Sequence, residues 1–145
     1  PASVQVYELT DWGYEIKPVF MVLGRWAARS PLHDPTLPIS AVSIMQSFET
    51  MFDPARAGDA AMRLGFALDE DRMIVTVAGG AIETRRGEVE DADVVVRAAP
   101  PVVAAAVYGK VPLAALEGEG AMTVEGDRDV FARFIDFFHL PEKAG

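Results

Sequence analysis

The sequence contains no cysteine and only two histidines. The absence of cysteine excludes a disulfide framework, a thiolate nucleophile and a cysteine-ligated zinc site. His33 lies in a proline-rich segment and His139 near the end of the chain, and neither belongs to a set of three or four ligands at metal-site spacing. We therefore predict no metal and no cofactor, and the composition fits a reducing compartment, the cytoplasm.

Long apolar runs are also missing. A membrane-spanning helix needs about 18 apolar residues, whereas the longest candidate, Ala98–Val107, is short and rich in alanine and proline. No signal peptide is visible in the first ten residues, so we expect no membrane association. The chain opens directly in a strand pattern without methionine, and we expect an upstream part of the protein to be absent.

Catalytic patterns are absent as well. Ser30, Ser40, Ser43 and Ser47 lack the surroundings of a nucleophile elbow, and the glycines from Gly118 onward are not followed by the Lys-Ser/Thr of a phosphate-binding loop. The acidic segment Gly87–Asp93 reads as a solvated turn rather than a calcium loop. We predict no catalytic residue and no enzymatic activity. An enzyme accessory domain stays open as an alternative.

Negative charge is abundant. The net charge is −9, of which −8 falls after Pro38. Because a phosphate backbone attracts clustered Lys and Arg, Ile39–Gly145 should not bind nucleic acid by itself.

The first thirty residues predict a strand, Val4–Thr10, followed by a helix that Thr10 caps and that ends near Ser30. Pro18 should bend this helix. Its apolar positions recur at spacings of three and four and form one stripe, which includes Trp12, Ile16, Phe20, Leu23 and Trp26. Residues 31–38 contain three prolines and predict a stiff linker between two domains, 1–30 and 39–142.

Beyond the linker, the periodicity predicts one α+β domain with a largely antiparallel sheet covered on one face by helices. Gly79-Gly80 should be a two-residue hairpin turn, and Asp127 should cap the final helix, which ends at Leu140-Pro141. The predicted helices are Ser40–Phe52, Pro101–Tyr108, Leu113–Leu116 and the helix after Asp127. The predicted strands are Met62–Leu68, Met73–Ala78, Ala81–Arg86, Val94–Ala98 and Ala121–Glu125.

The string Tyr7-Glu-Leu-Thr-Asp-Trp-Gly13, followed by Pro18-Val19 and Leu23-Gly-Arg-Trp26, resembles the end of HxlR-type winged-helix regulators, relatives of the MarR group. The resemblance covers Pro1–Ser30 and implies a wing strand and a dimerisation helix. It also implies a homodimer, whose interface would be formed by Trp12, Ile16, Phe20, Leu23 and Trp26. The DNA-reading helices of such regulators lie upstream, so DNA would be bound only through a part that this chain lacks.

The segment from Ile39 to Glu142 resembles the sterol-carrier-protein-like fold. The resemblance rests on the hairpin at Gly79-Gly80, the string Gly118-Glu-Gly-Ala-Met-Thr-Val-Glu-Gly-Asp127 and a Phe-rich closing helix. It implies a five-stranded sheet and an apolar tunnel that holds a lipid or another hydrophobic small molecule. The candidate lining residues are Phe48, Met51, Phe52, Phe66, Tyr108, Phe131, Phe134 and Phe138, although each of these side chains can equally fill a core.

Together these features predict the ligand-binding and dimerisation portion of a transcriptional regulator. A lipid carrier or storage module without a regulatory role is the alternative.

Overall fold

A computed structural model describes residues 8–145 of the chain. The predicted strand Val4–Thr10 lies mostly outside these residues, and Glu8–Thr10 is irregular. Thr10 caps a helix as predicted, because its hydroxyl accepts a hydrogen bond from the Gly13 amide at 3.1 Å.

The prediction of a single bent helix between Thr10 and Ser30 is wrong. The chain forms two helices, α1 (Asp11–Tyr14) and α2 (Lys17–Ala28), separated at Glu15 and Ile16. Pro18 lies in the first turn of α2, where a missing N–H breaks no helical hydrogen bond. The proline therefore begins a helix instead of bending one.

The central helix, α3 (Ala41–Met51), has the predicted position. Ser40 caps it through a 3.1 Å hydrogen bond from the Ser43 amide to its hydroxyl. Asp53-Pro54 ends it as predicted, and Asp53 also caps a short helix that the sequence analysis missed, α4 (Pro54–Ala57).

All five predicted strands of the domain are present. They are β1 (Met62–Leu68), β2 (Asp71–Ala78), β3 (Ala81–Arg86), β4 (Val94–Ala98) and β5 (Met122–Gly126), in the order β3-β2-β1-β4-β5. Gly79 and Gly80 form the predicted hairpin turn with φ of 57° and 74°. The sheet is not wholly antiparallel, because β4 runs parallel to β1.

The parallel pair results from the segment between β3 and β4, which leads from the edge strand across to the far side of β1. Val89 in this segment is buried against Ile74 and Val95 on the outer face of the sheet. The segment predicted as a solvated acidic turn is therefore anchored by an apolar side chain.

The opposite face of the sheet is covered by helices, as predicted. Two further helices, α5 (Pro100–Val107) and α6 (Leu113–Gly118), lead to β5, and α7 (Arg128–Ile135) follows the Asp127 cap. Helix α7 ends before the predicted Leu140, because a turn follows and Phe138 forms an isolated bridge with Phe52. The Lys110 ammonium caps the C-terminal end of α7, because it donates hydrogen bonds to the carbonyls of Ile135 and Phe138 at 2.7 and 2.8 Å.

Candidate ligand-binding site

Five of the predicted lining residues form one aromatic cluster between the sheet and the helices. Phe48 of α3, Phe134 of α7 and Phe138 lie at its centre, with ring centroids 4.7 to 5.3 Å apart. Phe66 of β1 and Phe131 of α7 extend it, and all five side chains are fully buried. In this structure the five rings pack against one another in the core.

A hydroxyl pair borders the cluster. Tyr108, half-buried at the end of α5, has its ring 6.4 Å from that of Phe48, and its hydroxyl is hydrogen-bonded to the hydroxyl of Ser47. Burial raises the pKa of Tyr108 well above its ordinary value, so the phenol stays neutral at physiological pH. A neutral hydroxyl pair could hydrogen-bond an uncharged ligand group at this point.

The remaining two predicted residues lie at the edge of the cluster. Phe52 has its ring 6.2 Å from that of Phe138 and is 7% exposed, and Met51 is half-buried. Both side chains face a groove on the surface.

The groove runs between α2 and the end of α3, and we call it the α2 groove. It consists of two open depressions of about 300 and 420 Å³ that share Arg25, Phe52 and Pro54. Its volume falls in the range of roughly 300–1,000 Å³ that small-molecule sites occupy. The other residues that line it are Lys17, Met21, Glu49, Met51, Asp53, Ile82, His139 and Pro141.

Sequence reasoning did not find this groove. A signal was present, since Met21, Gly24, Arg25 and Ala28 recur at spacings of three and four on the side of α2 away from the apolar stripe. Gly24 faces Thr50 of α3, because a Cβ built on it would lie 3.2 Å from the Thr50 methyl carbon. The groove could not be predicted from this spacing alone, because the sequence does not show that α2 packs on α3.

The two carboxylates that line the groove, Glu49 and Asp53, are each paired with a cation. Glu49 is buried and accepts hydrogen bonds from the Thr84 amide and hydroxyl at 3.2 and 2.8 Å, while its other oxygen lies 2.5 Å from the Lys17 ammonium. Asp53 is paired with Arg56 at 3.4 Å.

Arg25 differs from these pairs. Its Nε donates to the carbonyl of Thr50, and no carboxylate between residues 8 and 145 lies within 4 Å of its guanidinium. A guanidinium offers five donors in a fixed fork. Arg25 therefore lines the groove without a carboxylate partner within 4 Å among the described residues.

The predicted dimer-interface residues lie on the outer side of α1 and α2. Their exposed fractions range from 47% for Ile16 to 82% for Trp12. Val19 and Val22 extend this exposed surface, at 61% and 66%. An apolar surface of this kind is characteristic of an interaction site.

The described part of the chain contains no group of three or more His, Cys, Asp or Glu side chains placed to hold a metal ion. None of its helices is long and apolar enough to cross a membrane.

Residues 37–144 match a family model described as the alkyl sulfatase C-terminal domain. No curated protein matches the chain. Among solved structures, the chain is similar to the inverting sec-alkylsulfatase Pisa1 from a Pseudomonas species, with 18% identity and a TM-score of 0.64 over 70% of this chain. The match covers only 16% of that alkylsulfatase.

A second similar structure is a ubiquinone synthesis protein named UbiJ-SCP2. It is 19% identical, and the match covers 88% of this chain and 91% of that protein with a TM-score of 0.50. At this level of identity the likeness shows the fold alone. The fold is the mixed, sterol-carrier-like arrangement of a mostly antiparallel five-stranded sheet with helices, as predicted from Ile39 onward.

Proposed function

This chain belongs to the alkyl sulfatase C-terminal family, whose model matches residues 37–144, and on that premise we propose that it binds a hydrophobic small molecule or lipid chain. Binding, rather than catalysis, is the role that we assign to it. The cytoplasm stays its predicted compartment.

The aromatic cluster is the observation that carries this proposal. Five phenylalanines fill the space between the sheet and the helices, where the sterol-carrier resemblance implies an apolar tunnel. An apolar ligand would take the place of contacts that the rings now make with each other.

A ligand titration tests the proposal with 1-decanol as an uncharged probe. A ligand that binds only the folded state stabilises it by RT ln(1 + [L]/Kd), so the unfolding temperature rises with the concentration of free ligand. We expect calorimetric binding of decanol and a higher unfolding temperature in its presence. We also expect native mass spectrometry of the purified chain to detect a co-purified apolar molecule.

A pair of phenylalanine variants gives the matched control. Phe131→Ala removes a fully buried ring of the cluster and should change the affinity for decanol, whereas Phe20→Ala removes a ring that is 59% exposed and should not. The absence of any binding to decanol by the wild-type chain would contradict the proposal.

The exposed stripe on α1 and α2 favours a second candidate function. We propose that the chain is the ligand-binding portion of an HxlR-type regulator and forms a homodimer through Trp12, Ile16, Phe20, Leu23 and Trp26. DNA would then be bound only by an upstream part of the full-length protein. Burial of this stripe in a dimer would remove large apolar side chains from water. Each Å² of apolar surface buried in this way stabilises the dimer by about 25 cal/mol.

Sedimentation velocity tests this second candidate. We expect a concentration-dependent dimer that the double change Phe20→Ser and Leu23→Ser converts to a monomer. Val42→Ser, which alters a 42% exposed valine on α3 outside the stripe, is the control and should leave the dimer intact. A wild-type chain that stays monomeric at all concentrations would rule out this assembly.

A further inference from the structure

The helix α2 makes few apolar contacts with the rest of the domain. Of its twelve residues, all of which the structure describes, only Ala28 is buried, whereas six of the eleven residues of α3 are buried. A helix that belongs to a core normally buries an apolar stripe about 100° wide. The apolar stripe of α2 faces away from the domain, so little apolar burial holds this helix in place.

The contact between α2 and α3 is made largely by polar groups. Lys17 is paired with the buried carboxylate of Glu49, and Arg25 donates a hydrogen bond to the carbonyl of Thr50. The Thr50 carbonyl lies in the last turn of α3, where carbonyls have no partner within the helix. Water can replace the partner of each of these groups when the two helices separate. A contact of this polar kind is typical of elements that move relative to one another.

The C-terminal tail, residues 140–145, holds the end of α2. The Lys143 ammonium donates hydrogen bonds to the carbonyls of Ala28 and Ser30, and the Ala144 amide donates one to the carbonyl of Arg29. These carbonyls lie at or just beyond the C-terminus of α2. Hydrogen bonds of this kind each contribute only about 0.5–1.5 kcal/mol, because water competes for the same groups. The tail therefore holds α2 by contacts that can open and close.

The linker that joins α2 to α3 is not anchored by its apolar side chains. Leu32 and Leu37 lie within residues 31–38, and their side chains are 91% and 63% exposed. Segments with few buried apolar contacts open at low cost in free energy. Residues 31–38 can therefore follow a movement of α1 and α2 away from the domain.

The helix α2 lies over one edge of the aromatic cluster. Phe52 is buried, and together with Arg25 it lines both depressions of the α2 groove. On its other side, the ring of Phe52 lies 6.2 Å from that of Phe138 in the cluster. Movement of α2 and the Arg25 side chain away from α3 would expose Phe52 and open a route from solvent to the cluster.

From these contacts we infer that α1 and α2 form a lid on the aromatic cluster, hinged at residues 31–38 and held closed by the C-terminal tail. An apolar ligand enters and leaves while the lid is open, and Phe52 is the first ring that it meets. The inference rests on the proposed binding of a hydrophobic ligand and adds the control of its rate. It also assigns a role to α2, which lies outside the matched residues 37–144.

A disulfide between α2 and α3 tests the lid. A Cβ built on Gly24 lies 3.2 Å from the methyl carbon of Thr50, so cysteines at the two positions are within reach of a disulfide. The chain has no other cysteine that could compete. In the double variant Gly24→Cys with Thr50→Cys, oxidation should hold the lid closed and reduction should release it.

The rates of 1-decanol binding are the measurement, obtained from exchange of amide resonances between the free and the bound protein. We expect association and dissociation both to be about tenfold slower in the oxidised than in the reduced double variant, as for a site whose access depends on an opening step. The Kd should stay the same, because a lid that only controls access changes both rates by the same factor.

Thr50→Cys alone is the matched control. Thr50 is buried, and its single cysteine has no second cysteine in the chain to pair with. Oxidation and reduction of this variant should leave both rates unchanged. The comparison separates the effect of the crosslink from the effects of the substitution and of the oxidant.

Release of the tail tests the lid in the opposite direction and does not depend on the folding of the cysteine variants. Lys143→Met should open the lid more often and make the association of 1-decanol about fivefold faster. Glu142→Ala keeps the backbone carbonyl that accepts from Arg29 and should bind at the wild-type rate.

Equal binding rates in the oxidised and reduced double variant would overturn the lid and leave the proposed function standing. A wild-type association rate in Lys143→Met would overturn the role of the tail in the same way. Failure of 1-decanol to bind the wild-type chain at all would overturn the proposed function and the lid together.

Discussion

Gly65 shows how one residue without a side chain holds a loop in place. A Cβ built on Gly65 would lie 2.7 Å from the Cβ of Val89 and 3.0 Å from its carbonyl oxygen. Val89 is therefore seated directly on the backbone of β1. The glycine is required by this close approach of the loop to the sheet, since its φ is not in the left-handed region.

Gly65→Ala should consequently destabilise the protein by about 1–3 kcal/mol, the usual cost of overpacking a buried site. Urea unfolding measures the change. Gly118→Ala is the control, because nothing lies within 4 Å of a Cβ there, and a helical alanine should be neutral or slightly stabilising. Equal unfolding midpoints for Gly65→Ala and the wild-type chain would mean that Val89 does not rest on β1.

At the scale of elements, the C-terminal tail fastens α2 to the domain. The Lys143 ammonium donates to the carbonyls of Ala28, Ser30 and His33 at 3.0 to 3.3 Å, and the Ala144 amide donates to the carbonyl of Arg29 at 2.7 Å. These carbonyls lie at and just beyond the C-terminus of α2, where a cation also interacts favourably with the helix dipole. The tail thus links the segment after α7 to α2.

Lys143→Met should loosen this attachment. We expect amide hydrogen exchange near the end of α2 to become about fivefold faster, which corresponds to about 1 kcal/mol of lost local stability. Glu142→Ala is the control, because only the backbone carbonyl of Glu142 takes part, as an acceptor for Arg29 Nε at 3.3 Å. Unchanged exchange in Lys143→Met would show that the tail does not hold α2.

The contact between α6 and α7 makes stability depend on pH. The hydrogen bond from Arg128 lowers the pKa of Glu117 below its ordinary value of 4.5. A carboxyl with a lowered pKa in the folded state stabilises the protein above pH 4.5, and this contribution is lost as the pH falls through the folded-state pKa.

Arg128→Gln should therefore be less stable than the wild-type chain at pH 7, and the difference should shrink below pH 4.5. Thermal unfolding at several pH values measures it. Arg133→Gln, on the same helix, is the comparison, because its nearest carboxylate belongs to the fully exposed Asp59 at 3.8 Å and an exposed pair contributes little. A difference between Arg128→Gln and wild type that is constant with pH would exclude the carboxylate as its cause.

At the scale of the whole molecule, the net charge of −9 determines which kinds of partner the chain attracts or repels. A surface of this sign repels a phosphate backbone, and Arg25 is a single cation rather than the cluster that nucleic-acid binding requires. We expect this chain not to slow the migration of duplex DNA in a gel-shift assay at 50 mM salt, where electrostatic binding to DNA is stronger than at physiological salt. Salt-sensitive binding by this chain would contradict that expectation.

The local structure of the domain follows from the sequence to within a few residues. Helix α3, the hairpin at Gly79-Gly80 and the Asp127 cap depend on neighbours in the chain, through periodicity, positive φ and capping. The break before Pro18 was missed because proline permits either a bend inside a helix or the start of one. The short helix α4 was missed because four residues carry no periodic signal.

The sequence by itself determined the chemistry of this protein: no thiol, no metal-site spacing, an acidic surface, and phenylalanines at spacings that bring them to one side of the sheet. Only the tertiary structure decided that β4 lies parallel to β1, that Val89 covers Gly65, and that α2 packs on α3 to form a groove around Arg25. The physical reason is distance along the chain. Periodicity and caps act within a few residues, whereas each of these contacts joins segments that are more than twenty residues apart and meet only when the core forms.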